Sequence, residues 1–590
     1  MRRFIVRFFA VVGFLFLLAV GGIVGAFVWL SPKAPSLGTA DILVLDLNHG
    51  YSEAPSATAI TSILNEEQPS LRDLLDGIER AAGDPRIKGI VAHLGAEEYG
   101  SGKTQEIRDA IMAFRSKGKF AIAHAESFGE GGSGTRSYYL ATAFDRILLQ
   151  PFGVVGLTGF RAEVPFAKDL LDKLGIEAKF EHRSEYKTAM NSLTERGMTP
   201  AHREETDSIL KSIFGQTVRD IAAARQIDEA EVRKLVDGGP HLYRDAEKLK
   251  LIDGIGYWED ALEAARSRAA NAKTVTLRRY LEAAGHPNTK GPTVALIHAV
   301  GMIQRGDSGG SPLSGSTFVG SDSLVRALHK ASEDKEVSAI LLRIDSPGGS
   351  ATASETIWNE VVRVRNSGKP VIVSMSDVAG SGGYYIAAGA TKIVAQPGTL
   401  TGSIGVVAGK IMTGQLWEKL GVRWEASEAG GNASMYSSIQ DYTPQGKQRF
   451  EASLDEVYEG FKSRVAMGRK LSPEKVEEIA RGRVWTGEDA KARGLVDELG
   501  GYAVALRLAK EAMGVTADQE VTLKAYPPPK DTREILLSRL LGRDEEETEA
   551  TASTAAKALA PLRSVFQRIE VLTAPQGALL MQPPELRPDP

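Results

Sequence analysis

Residues 383–397, GYYIAAGATKIVAQP, repeat residues 137–151, SYYLATAFDRILLQP, at an offset of 246. The same offset relates LLDKLGI (170–176) to LWEKLGV (416–422), and an offset of 244 relates AEKLKLID (246–253) to AKARGLVD (490–497). Three blocks at nearly one spacing mark a chain whose body is present twice. In the second copy the apolar runs are TVALIHAV (293–300), AILLRID (339–345), PVIVSMS (370–376) and TKIVAQP (391–397). In the first they are ILVLDL (42–47), GIVAHL (89–94), FAIAHA (120–125) and RILLQP (146–151). They are rich in Val and Ile and lack strict polar alternation, the pattern of strands covered on both faces. Between them, SLVRALHKASED (323–334) and ASETIWNEVVRVRN (353–366) read as helices. The predicted fold is α/β, a tandem duplication with mainly parallel sheets joined by helical crossovers.

Composition narrows the function. A chain of 590 residues exceeds one core, and a net charge of −4 gives nucleic acid no electrostatic footing. With no cysteine there is no disulfide, thiolate nucleophile or cysteine-held metal. Residues 8–30 form an uncharged apolar run, about 34 Å long as a helix at 1.5 Å per residue, enough to cross a bilayer. Arg2, Arg3 and Arg7 precede it and only Lys33 closely follows, which leaves the N-terminus in the cytoplasm and the body across the membrane. The other reading is a cleaved signal peptide with Val24-Gly25-Ala26 at the cut, though its apolar region would far exceed the usual ~7–15 residues.

The expected division is a stub and anchor over 1–35, a first copy over 36–285, a second over 290–515 and a tail over 516–590. The tail holds AYPPPK (525–530), the acidic GRDEEETEA (542–550) and an apolar island, Gly577-Ala578-Leu579-Leu580-Met581. Most of it has the composition of a segment without a packed core.

Two loops of the second copy follow strands at their carboxyl ends, where parallel α/β sheets place their chemistry. In Ser346-Pro347-Gly348-Gly349 the glycines let backbone N–H groups face a developing oxyanion, although the same four residues also read as a turn. Ser381, in GSGGYYIA (380–387), opens a helix, where a serine acts as a cap or as a nucleophile. All nine histidines lie at or before residue 329, so the usual base has no local source.

In combination, DSPGG (345–349), GSGGYYIA (380–387) and LTGSIGV (400–406), on a duplicated chain behind an anchor, resemble signal peptide peptidase A in its long, two-copy form, also called the protease IV family. The resemblance covers roughly residues 1–515. It implies a fold related to the ClpP and crotonase proteins, a serine nucleophile at Ser381, and oxyanion or substrate contacts from Gly348, Gly349 and Gly382. In the two-copy family the base is a first-copy lysine in a Y-K-S/T-A context, matched here by Lys187 in Tyr186-Lys187-Thr188-Ala189. Ser403 matches a family serine that orients the lysine; as an ordinary loop serine it would bond its own backbone. At the offset of 246, Ser381 faces Thr135 and Lys187 faces Ala433, so each copy keeps one half of the pair. A lysine base must lose its proton far below its reference pKa of about 10.4, which burial achieves.

The resemblance further implies a Ser-Lys endopeptidase that degrades cleaved signal peptides and other apolar peptides, without metal or cofactor. It implies a homotetramer in the bacterial inner membrane with its catalytic body in the periplasm. The rival reading is a catalytically inactive crotonase-like membrane scaffold. An acyl-CoA enzyme fits less well, because the anchor exports the body from cytoplasmic CoA, and a histidine-dependent α/β-hydrolase fails because no histidine follows Ser381. The island at 577–581 looks like a fragment of such a substrate, and either occupies the groove and restrains activity until cleaved, or docks on the body or does nothing.

Overall fold

Two sheets share one strand order. The computed structural model describes residues 37–38, 41–53, 69–95, 97, 99–270, 272–310, 317–528 and 579–581. The first sheet runs Gly254–Ile255, Arg146–Leu149, Phe120–Ala125, Ile87–His93, Asp41–Asp46 and Lys273–Thr276, every neighbour parallel. The second follows with Glu498–Leu499, Lys392–Ala395, Val371–Gly380, Val337–Ser346, Thr293–Val300 and Thr522–Ala525, also parallel. The expected anchor and most of the tail lie outside the described residues, among which no helix is long and apolar enough to cross a membrane.

Alternate strand residues point to opposite faces, and both faces are covered. Ala295, Ile297, Ile340, Leu342 and Val373 pack with Ile357 and Val361 of the helix Ala351–Asn366. Their neighbours Val294, Leu296, Leu341 and Ile372 pack with Ala505 and Leu508 of the helix Tyr502–Ala512. The expected strand at 370–376 runs on through Asp377 to Gly380, residues read from sequence as a loop. It continues because a second partner takes over: Val378, Ala379 and Gly380 pair with Leu400, Thr401 and Gly402.

A third sheet joins the halves. Glu177–His182 pairs antiparallel with Val407–Met412, from Glu177 opposite Met412 to His182 opposite Val407. A buried ion cluster joins them again. Arg343, fully buried in an apolar strand, donates to both carboxylate oxygens of Glu53 at 2.9 Å, to Glu106 at 2.7 Å and to Ser374 at 2.8 Å. Beside it Lys103 bridges Asp345 and Asp377 at 3.2 and 3.5 Å.

Such clusters add little over apolar packing, but removing one partner strands the others' charge in the interior. Arg343→Met is therefore expected to lower the unfolding free energy by about 3–5 kcal/mol in a denaturant titration. A loss below about 1 kcal/mol would mean that Glu53 and Glu106 are not held as ions by Arg343.

Candidate active site

The strand Val371–Gly380 delivers Ser381 into a strained turn. Its backbone sits at φ 52 and ψ −112, a setting that costs a residue with a side chain on the order of 1–3 kcal/mol. The Ser381 N–H donates to Gly402 O at 2.8 Å, and Tyr385 N–H donates to Ser381 O at 2.8 Å, which starts the helix Gly382–Ala387. The side chain makes no cap bond. Its Oγ lies instead 2.8 Å from Lys187 Nζ.

Lys187 Nζ is also 2.9 Å from Ser403 Oγ and 2.9 Å from the Ser403 carbonyl oxygen. Lys187, Ser381 and Ser403 are all fully buried. A neutral amine has two N–H donors and one lone pair. Its three contacts, two on Ser403 oxygens and one on the Ser381 hydroxyl, match that number.

A ladder of backbone bonds brings the lysine from the other half. After the strand Glu177–His182, Arg183 N–H donates to Val406 O at 3.0 Å and Tyr186 N–H to Arg481 O at 3.2 Å. Gly482 N–H donates to Ile404 O at 2.8 Å, and Ser403 N–H to Arg483 O at 2.7 Å. Gly482 has φ +82, and a Cβ there would lie 2.5 Å from Lys187 N and 2.7 Å from its Cα. The sequence reading passed over Gly482, because one glycine between two arginines carries no signal of the chain that will pass it.

The S-P-G-G loop meets the helix start. Its Gly348–Ser350 segment is a short strand, with Gly349 opposite Ile303. A Cβ on Gly382 would lie 3.1 Å from Gly349 N and 2.7 Å from Ser354 Oγ, so this loop rests directly on the residue after Ser381. Gly348 N–H donates to Ser346 Oγ at 3.2 Å, which engages one of the two loop amides expected to face an oxyanion. All six residues singled out in the sequence thus lie around one point. Thr135, at the Ser381 position of the first copy, donates its hydroxyl to Gly159 O at 3.1 Å.

Burial holds the Lys187 amine well below its ordinary value, with Glu205 opposing. Glu205, fully buried in the helix Pro200–Arg225, accepts from Val484 N–H at 2.6 Å and from Thr188 Oγ at 3.4 Å. Burial pushes its carboxyl up to about 8, so near neutrality it is largely protonated and supplies little countercharge. The sequence reading missed this residue too, since it lies within an ordinary charged helix. Among the described residues no group of three or more His, Asp or Glu side chains is placed to hold a metal.

A buried serine at the end of a parallel α/β strand, with a lysine amine 2.8 Å from its hydroxyl oxygen, is an arrangement found in serine hydrolases. The chain belongs to peptidase family S49, whose model matches residues 113–273 and 363–516. "Protease 4" of Salmonella typhi is 33% identical over 84% of this chain and 82% of that protein. "Serine protease SPPA, chloroplastic" of Arabidopsis thaliana is 32% identical over 80% of this chain and 69% of its own length. "Protease 4" of Haemophilus influenzae is 28% identical over 93% and 92%. The chain is a serine peptidase, similar along most of its length to long members of the family.

Two outcomes are expected. The folded pKa of Lys187 lies below its unfolded value, so between them the unfolded state binds the extra proton and wild-type stability rises with pH. The unfolding free energy of Lys187→Met minus that of wild type should therefore fall from pH 7 to pH 10, and a flat difference would contradict a depressed amine. Gly482→Ala should lower kcat on the order of 100-fold by displacing Lys187, with circular dichroism unchanged.

Proposed function

We propose that the chain is an endopeptidase working through Ser381 and Lys187 on apolar peptides in or near the membrane, cleaved signal peptides among them. The observation that carries this reading is a fully buried amine 2.8 Å from the Ser381 hydroxyl oxygen. A substrate lies extended beside Gly348–Ser350. Lys187 takes the hydroxyl proton as Ser381 Oγ attacks the scissile carbonyl, and the backbone amides of Gly349 and Gly382 face the oxyanion. Protonated Lys187 then gives its proton to the leaving amine. With an acyl group on Ser381, neutral Lys187 takes a proton from water as its oxygen attacks the ester, then gives that proton to Ser381 Oγ as the acyl–oxygen bond breaks and the acid product leaves. Ser403 holds the amine on its course.

Residues 1–35 anchor the body at the bacterial inner membrane with the N-terminus in the cytoplasm and the catalytic body in the periplasm. The two sheets are copies of one unit, the first over 36–285 and the second from 290 past the expected bound of 515 to the edge strand Thr522–Ala525, the first keeping the lysine and the second the serine. The assembly is a homotetramer, as the two-copy family implies. The names of the relatives support peptidase chemistry. An inactive scaffold is disfavoured by Ser381 and Lys187 themselves, since a strained serine and a buried amine whose desolvation outweighs the attraction of Glu205 both cost stability.

The test is hydrolysis of a fluorogenic apolar peptide by the detergent-solubilised full chain. Ser381→Ala and Lys187→Ala are both expected to fall at least 1,000-fold, to one floor, while remaining folded. A Lys187→Ala protein that keeps most of the rate would place the base elsewhere, and an inert wild type would favour the scaffold.

A further inference from the structure

The strand that carries the nucleophile holds two residues more than its neighbour at one point. Ile344 pairs with Met375, and the next pair is Ser346 with Ala379. Two steps along one strand thus match four along the other, and Ser376, Asp377 and Val378 stand opposite Asp345. A bulge bends its strand and re-aims the residues beyond it. Here those residues are Ala379, Gly380 and Ser381 on one side and the glycine loop 346–349 on the other. In the first sheet the corresponding strand, Phe120–Ala125, stops where the extra residues would begin: Ala125 pairs with Leu149 as Met375 pairs with Ala395.

A bulge takes backbone groups out of the ladder, and other partners replace the strand. Val378 N–H donates to Asp345 Oδ1 at 3.1 Å. The Ser376 carbonyl accepts from Thr399 Oγ1 at 2.6 Å, and the Ser376 hydroxyl donates to Glu53. Asp377 meets the start of the helix Ser101–Arg115 from the other half, where its Oδ1 accepts from Lys103 N–H at 2.9 Å. Two glycines allow that approach: a Cβ on Gly100 would lie 2.2 Å from Asp377 Cγ, and one on Gly102 2.6 Å from Ser376 O. Lys103 Nζ closes the circuit, 3.2 Å from Asp345 Oδ2 and 3.5 Å from Asp377 Oδ2. It therefore touches both the residue that opens the glycine loop and the strand four residues before Ser381.

We propose that Lys103 is a positioning residue for the reaction: it neutralises Asp345 and Asp377, closes the bulge, and so sets where Ser381 stands relative to the glycine loop. The proposal rests on the peptidase reading for what that spacing serves. The first half thereby fixes the placement of the nucleophile as well as supplying its base. Two carboxylates at one site repel each other unless a cation lies between them. Burial raises the Asp345 carboxyl, with Lys103 opposing and Asp377 and Glu53 adding to the rise. Taking the cation away leaves two acids to push the bulge apart, a larger change than the loss of one side chain's packing.

The test restores charge balance without restoring the lysine. In the full chain, Lys103→Met is expected to lower kcat for a fluorogenic apolar peptide about 30-fold, with KM within about twofold of wild type. Asp345→Asn keeps an oxygen for Val378 N–H and removes one negative charge, so adding it to Lys103→Met should recover about tenfold of that loss. A role in packing alone predicts a double variant no better than the single one. Amide exchange over residues 376–385, read by mass spectrometry, follows the bulge independently of turnover: it is expected to quicken about tenfold in Lys103→Met and to slow again in the double variant. Unchanged kcat and exchange in Lys103→Met, or a double variant that recovers neither, overturns the proposal. Exchange that behaves as stated in a protein whose wild type is inert toward the peptide would keep the role of Lys103 in the bulge and sink the peptidase mechanism instead.

Discussion

The contact on which the rest of the site is built is that of a buried lysine amine, its proton loosened by burial, with the Ser381 hydroxyl. Lys187 is fully buried and Lys103 half-buried, and their surroundings send them in opposite directions. Lys103 lies within 3.5 Å of Asp345 and Asp377, and those carboxylates hold it charged more firmly than in water. Among the described residues Lys187 hydrogen-bonds two hydroxyls and a carbonyl oxygen, and burial outweighs the opposing Glu205, so its proton is lost more easily. The same residue type is held charged in one place and gives up its proton more readily in the other.

That arrangement needs two halves. Every residue from Val371 to Ser381 is buried, and the lysine does not come from that segment. Arriving instead along Glu177–His182, the chain enters from the other half, pinned by six residue pairs and then by bonds through Arg183, Tyr186 and Gly482. The Arg343 cluster secures the same union from beneath, with Glu53 and Glu106 from one half and the guanidinium from the other. Ser381 and Ser403, at φ 52 and φ 51, are strained where these segments converge, and the surrounding ladders hold them there.

The strands were legible because burial on both faces writes itself into local composition: the strands at 293–300 and 120–125 have the bounds their apolar runs suggested. Ser381 was legible as a candidate but not as distinct from a cap, a choice that depends on where its Oγ points. Lys187 came only from family resemblance, since nothing near it in sequence tells of burial against residues more than 190 positions away. The third sheet and the ion cluster were hidden for the same reason, although Arg343 inside AILLRID was a charge in an apolar strand and so a visible hint. Gly482 and Glu205 carried no local mark at all.

The central claim is that Lys187 of one half activates Ser381 of the other. It is tested most directly by a fluorophosphonate probe, with the adduct located by peptide mass spectrometry and its rate of formation compared in wild type and Lys187→Ala. The account predicts a single adduct on Ser381, formed at least 100-fold more slowly in the variant. An adduct on another serine, or an equal rate without the lysine, would contradict it.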